Sequence, residues 1–186
     1  MDRDLRGQVI EQLDFYWREQ FRPRLEGMTD EEYVWEPVPG AWNLRPRSEA
    51  RTSMAAGGGD LVLDWEWPEP DPPPVTTIAW RIGHIGCGVL GMRASNHFGD
   101  GSTDYQTTVW PSTAIEAIDY LDQSYGAWRD GISKLSEEDL WKPVGPAEGP
   151  YAQSPYIELI LHINREAIHH AAEIALLRDL YRARSA

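Results

Sequence analysis

The stretch Leu161-His162-Ile163-Asn164-Arg165-Glu166-Ala167-Ile168-His169-His170-Ala171-Ala172-Glu173 decides how this chain is read, and it carries three of the five histidines. A helix advances about 100° per residue, so positions four apart stack on one face. Glu166 and His170 have that spacing. A carboxylate and an imidazole one turn apart can converge on a single divalent ion, with no loop needed to bring them together. A third ligand must then come from another part of the chain.

Working outward, the segment from Tyr156 to Arg182 reads as one long helix, with Arg178, Arg182 and Arg184 at the negative end of its dipole. Three more helices follow from apolar spacing. The first covers about Asp4 to Glu26, with Val9, Ile10, Leu13, Trp17, Phe21 and Leu25 at helical intervals, and Pro23 predicts a kink or an early stop. Thr29 and Glu32 form a capping-box pattern that opens a short turn. Thr76 or Thr77 caps the second helix, which runs to about Phe98 on a stripe of Ile78, Ile82, Ile85, Val89 and Met92. Gly83, Gly86, Gly88 and Gly91 lower its propensity and permit close approach of a neighbouring helix or a ligand. The loop from Asn96 to Val109 leads to a third helix opened by Pro111-Ser112, through Ile115, Ile118, Leu121, Tyr125, Trp128 and Ile132. Gly145 to Pro155 is another loop.

Between the first two helices the periodicity disappears. Residues 36–75 contain eight prolines, including Pro72-Pro73-Pro74, and the triplet Gly57-Gly58-Gly59. Within this Pro/Gly/Trp-rich connection only Leu61-Val62-Leu63-Asp64-Trp65-Glu66-Trp67 alternates weakly, as a short strand would. A connection this long is often functional. The segment Leu25–Val38 resembles Leu135–Val144, each following a long helix and ending in Trp-x-Pro-Val. The fold class is therefore all-α: a four-helix bundle with long crossover connections, one domain over residues 1–186.

The net charge of -13 repels phosphate backbones and anionic lipid, so neither nucleic acid nor a membrane is an expected partner. A lone cysteine, Cys87, excludes an internal disulfide or a Cys-based zinc cluster, and it reads as a small core residue rather than a nucleophile. The charged start and the lack of a long apolar run make a cytoplasmic protein the expectation. Nine Trp against three Phe is unusual. Several stand in loop-like sequence (Trp35, Trp42, Trp65, Trp67, Trp110, Trp141), where they pin loops to the core or line an apolar pocket. No phosphate loop or Gly-x-Ser-x-Gly elbow is present.

The third ligand is best supplied by His84, in Trp80-Arg81-Ile82-Gly83-His84-Ile85. A single histidine in apolar sequence is ordinarily a core residue. Here one His on helix two precedes Glu-x-x-x-His on helix four, the order in which facing helices of a bundle place metal ligands. Alternatives stay open: His162 is one turn before Glu166 and can pair with it. Glu173, about 340° around from Glu166, can ligate or can orient His170. His169 is suited to a hydrogen bond to a neighbouring helix, and His97 is assigned no chemistry.

These segments resemble the DinB-like (DinB/YfiT) superfamily: the Leu25–Val38 stretch, Thr77-Ile78-Ala79-Trp80-Arg81-Ile82-Gly83-His84-Ile85, and Glu166-Ala167-Ile168-His169-His170. The resemblance implies a divalent ion, zinc or nickel, held by His84, Glu166 and His170, with His169 at the position of an extra histidine. Members usually have His where this chain has Glu166, and the mycothiol-dependent maleylpyruvate isomerase branch has Glu there. Two His and one carboxylate with an open position is a competent catalytic set, with one less positive charge on the centre. The resemblance further implies a thiol-dependent S-transferase or isomerase that takes a small electrophile and a low-molecular-weight thiol, and a homodimer. A metal-dependent hydrolase and a non-catalytic metal-binding stress-response protein are the alternatives. Because only a neutral imidazole can ligate, metal release is expected to take up as many as about two protons near pH 5–6.5.

Overall fold

The computed structural model describes residues 4–184. Four long helices form the bundle. Helix α1 covers residues 5–25: an α-helical part (Leu5–Phe15), a π-helical turn (Tyr16–Phe21) and a 3-10 end (Arg22–Leu25) that begins beside Pro23. A short helix α2 (Asp30–Tyr33) follows. Helix α3 covers residues 78–98 in three parts, Ile78–Gly83, a π-helical His84–Gly91 and Met92–Phe98. Helices α4 (Ala114–Ser133) and α5 (Tyr156–Ala183) complete it. Both α1 and α3 pack on α4 and α5, which sets α1 and α3 on opposite corners. His97 meets Tyr156 and His84 meets His170, so α3 and α5 run antiparallel.

Helix starts follow their capping chemistry. The Thr77 side chain accepts from the Trp80 N–H, and Thr113 and Glu116 form a full capping box, so α4 begins just after the Pro-Ser pair rather than on it. Thr29 accepts from the Glu32 N–H, but the Glu32 carboxylate does not fold back. Instead it pairs with Arg178 at 2.7 and 3.0 Å, with both residues buried. Arg178 also donates to the Arg24 and Glu26 carbonyls. It therefore clamps the α1–α2 turn onto α5, which corrects its assignment to the helix dipole. The second copy of the turn uses the same cap, with Ser136 accepting from the Asp139 N–H at 3.2 Å.

The connection from α2 to α3 is more ordered than its prolines suggest. Strands β1 (Leu44–Pro46) and β2 (Leu61–Leu63) pair antiparallel, with Leu44 opposite Leu63. Arg45 locks them by pairing with Asp64 and with Glu36, both at 2.7 Å. Trp42 then exchanges backbone hydrogen bonds with Val75 and Thr77, which delivers the chain to α3. Of the loop tryptophans, Trp42 and Trp110 are buried, whereas Trp67 and Trp141 are exposed. Ile115 is also exposed, outside the apolar face of α4. Among the described residues no helix is long and apolar enough to cross a membrane.

Candidate metal centre

On α5 the buried residues Ile163, Ala167, His170 and Ile174 share one inward stripe, at spacings of three and four. His170 is therefore carried into the bundle, and Glu166 stands half-buried one turn before it. His84 begins the π-helical part of α3 and faces that stripe. The two imidazoles meet edge to face, with ring centroids 4.8 Å apart. Glu166 Oε2 lies 3.6 Å from His170 Nε2. Two ligands of one tetrahedral ion, each bonded at about 2.0–2.2 Å, stand roughly 3.3–3.6 Å apart, so this spacing suits a shared metal.

The other ring nitrogens are occupied. His170 Nδ1 lies 2.7 Å from Glu173 Oε2 and 3.0 Å from an Arg81 nitrogen. One nitrogen cannot serve both contacts. The shorter, charge-assisted one has Nδ1–H donating to the carboxylate, which leaves Nε2 as a free lone pair on the side of Glu166. Arg81 pairs with the same carboxylate, its Nε 3.2 Å from Oε2, without the alignment of a hydrogen bond. His84 Nδ1 is 2.9 Å from the Tyr105 hydroxyl, so its Nε2 is the uncommitted nitrogen.

The surroundings are aromatic. Trp80 stacks on His84 at 5.2 Å, and Trp65, from the α2–α3 connection, lies parallel to Trp80 at 6.3 Å. Burial drives the His84 pKa down to about 3, with the charges of a protonated His170, Arg81 and Arg93 adding to the effect. Burial also lowers that of His170, against the opposing pull of Glu173. The two rings are thus held neutral.

The DinB superfamily pattern matches residues 51–174, two thirds of the chain, a span that includes His84, Glu166 and His170. The chain belongs to the DinB superfamily. No curated protein matches it. Among solved structures it resembles the crystal structure of the conserved protein of locus from Enterococcus faecalis, with TM-score 0.59 and 15% identity over 95% of this chain and 96% of that one. At that identity the likeness concerns the fold.

Of the remaining sequence candidates in this DinB bundle, Glu173 is the group that orients His170, and His162 and His169 take partners on their own helix. His162 is 3.7 Å from Glu166 Oε1 but turns outward, with Arg165 against its Nδ1 at 2.9 Å. His169 is mostly exposed and lies 3.5 Å from Glu173 on its own helix, not against a neighbouring one. Among the described residues, the group of three donors whose ligand atoms all lie within 4.8 Å of one another is His169, His170 and Glu173. Glu173 is spent there as a hydrogen-bond acceptor, so the Glu166 side offers the open lone pair. Cys87 is buried with its thiol pKa raised by burial, as befits a core residue. His97 has partners after all: Tyr156 at 3.1 Å and Glu148 at 3.0 Å.

Sequence reading missed Tyr105 and Arg81. Arg81 had a signal, since it precedes His84 by three and so shares its face. Tyr105 had none in its own loop. Its mark is on α3, where a Cβ on Gly88 would overlap the Tyr105 hydroxyl.

Proposed function

We propose that this chain is a divalent-metal-dependent enzyme in which His84, Glu166 and His170 hold the ion, acting on a small electrophile with a low-molecular-weight thiol as transferred group or coenzyme. The observation that supports the reading is that His84 and His170 meet ring to ring across two facing helices, with Glu166 3.6 Å from His170 Nε2. Two imidazoles and one carboxylate suit zinc or nickel. Such an ion supplies Lewis acidity and lowers the pKa of the nucleophile that joins it.

The protein's own part is to hold the donors ready. Glu173 fixes the tautomer and rotation of His170, and Tyr105 does the same for His84. Burial keeps both rings unprotonated, so little proton must leave before they ligate. Trp80 and Trp65 exclude water from one side.

Elemental analysis of protein purified without chelator, followed by calorimetric titration with mycothiol, bacillithiol and glutathione, tests the reading. About one ion per chain and a thiol heat that disappears on chelation are expected. An ion without any thiol heat would favour the hydrolase alternative. Absence of any bound ion, even after loading, would overturn the proposal.

A further inference from the structure

Helix α5 is apolar on two faces. Ile163, Ala167 and Ile174 point into the bundle, yet Leu161, Leu176 and Leu180 on the far side are exposed, Leu176 by 58%. A helix on the surface of a bundle ordinarily turns polar residues outward, so an outer row of leucines marks a face for a partner. The row also has an internal symmetry. Arg165, Ile168, Ala172, Leu176 and Asp179 follow one another at spacings of three, four, four and three. All five therefore lie within about 40° of one line along the helix.

That spacing reads the same in both directions about Ala172, and its two ends carry opposite charges. Two copies of α5 laid antiparallel, with Ala172 at the crossing, set Arg165 of each against the partner's Asp179. Leu176 then enters the hole bounded by the partner's Arg165, Ile168, His169 and Ala172, which are spaced as a knob-into-hole contact requires. Both charged groups are available for this. Arg165 is 68% exposed and touches only its own helix, at His162 and Glu166. Asp179 is 58% exposed and gives Oδ1 to Arg24 at 2.5 Å, which leaves Oδ2 to accept from a second guanidinium. With a net charge of -13 the chain repels its own copies over most of its surface, whereas this row sums to zero.

We infer that the outer face of α5 binds a second copy of this chain. The two helices pair antiparallel on a two-fold axis at Ala172, in a register fixed by Arg165 and the partner's Asp179. A guanidinium matches a carboxylate in both charge and shape, and the two-fold makes the pair twice. Each Leu176 covers the partner's His169, a ring that in its own chain lies 3.5 Å from Glu173, the residue that orients His170. The pairing itself requires no metal ion and stands apart from the function proposed above.

Sedimentation equilibrium of the full chain, metal-free, tests both the face and the register. Wild type is expected to be a dimer at micromolar concentration. Arg165→Asp brings two carboxylates together at each end of the row, and Asp179→Arg brings two guanidiniums together. Each change should weaken the dimer by about tenfold or more. Mixed in equal amounts, these two variants should form a heterodimer of nearly wild-type strength, because every end then joins Arg to Asp. Ala172→Glu keeps a good helix former at an exposed position and sets two carboxylates on the axis, so it should abolish the dimer without unfolding the chain. A monomeric wild type, a dimer indifferent to Ala172→Glu, or the two charge variants remaining apart when mixed would overturn the inference. So would wild type that stays monomeric but binds zwitterionic lipid vesicles.

Discussion

Removing the carboxylate of Glu32 should cost this fold more than any change of comparable size on its surface. Arg178 is fully buried on α5, and Glu32 meets it with both oxygens at 2.7 and 3.0 Å. In Glu32→Met the guanidinium keeps only the Arg24 and Glu26 carbonyls, so a charge is left buried without its counter-ion. Losing one partner of such a pair costs about 3–5 kcal/mol. For a chain of this length that corresponds to a fall in Tm of roughly 6–20 °C. Urea unfolding followed by circular dichroism should show the midpoint falling with an unchanged slope. Glu31→Ala, one residue away and exposed, should change stability by less than about 0.5 kcal/mol. The double variant Glu32→Met/Arg178→Met should recover part of the loss, because no unpaired charge remains. A loss below about 1 kcal/mol in Glu32→Met would refute the claim that this pair clamps the α1–α2 turn to α5.

Further outcomes follow from local geometry. Gly126 lies inside α4 with nothing within 4 Å of an added Cβ, so Gly126→Ala should stabilise by about 0.5–1 kcal/mol in thermal melts. Tyr105→Phe should leave the fold intact and weaken metal binding by about tenfold or more, since it removes the hydroxyl that orients His84, and Gly88→Ala should weaken it too by displacing that ring. The His84 pKa is lowered in the folded state to about 3, whereas in the unfolded chain it sits near 6.5. The unfolded state therefore binds the extra proton first, and metal-free protein should lose stability as pH falls from about 6.5 toward 3, at up to about 1.4 kcal/mol per pH unit from this group. Denaturant melts of chelated protein at pH 7, 5.5 and 4 check the sign, and His84→Gln should flatten the profile. The same shift revises the proton count expected from sequence: with His84 already neutral, metal release at pH 5–6.5 should take up fewer than two protons.

What the sequence made legible, and what it hid, divides along physical lines. The long helices were readable because apolar side chains recur along one face, and His170 keeps phase with Ile163, Ala167 and Ile174. His169 is one position out of phase and falls on the surface. The two strands are only three residues long, too short for alternation to show, and are held by Arg45 across 19 residues to Asp64. Arg178 looked like a dipole residue because its partner stands 146 positions away, and no local pattern reports such a pairing. The glycines of α3 announced a close approach, but not that aromatic side chains (Tyr105 and Tyr120) would make it.

Metal stoichiometry and affinity across His84→Ala, Glu166→Ala, His170→Ala and Glu166→His test the central claim most directly. The account predicts about one zinc or nickel ion per wild-type chain at pH 7.5, strong loss of affinity in each alanine variant, and retention in Glu166→His, which offers a lone pair from the same position. Wild-type affinity in all three alanine variants, or no ion bound by wild type, would contradict it.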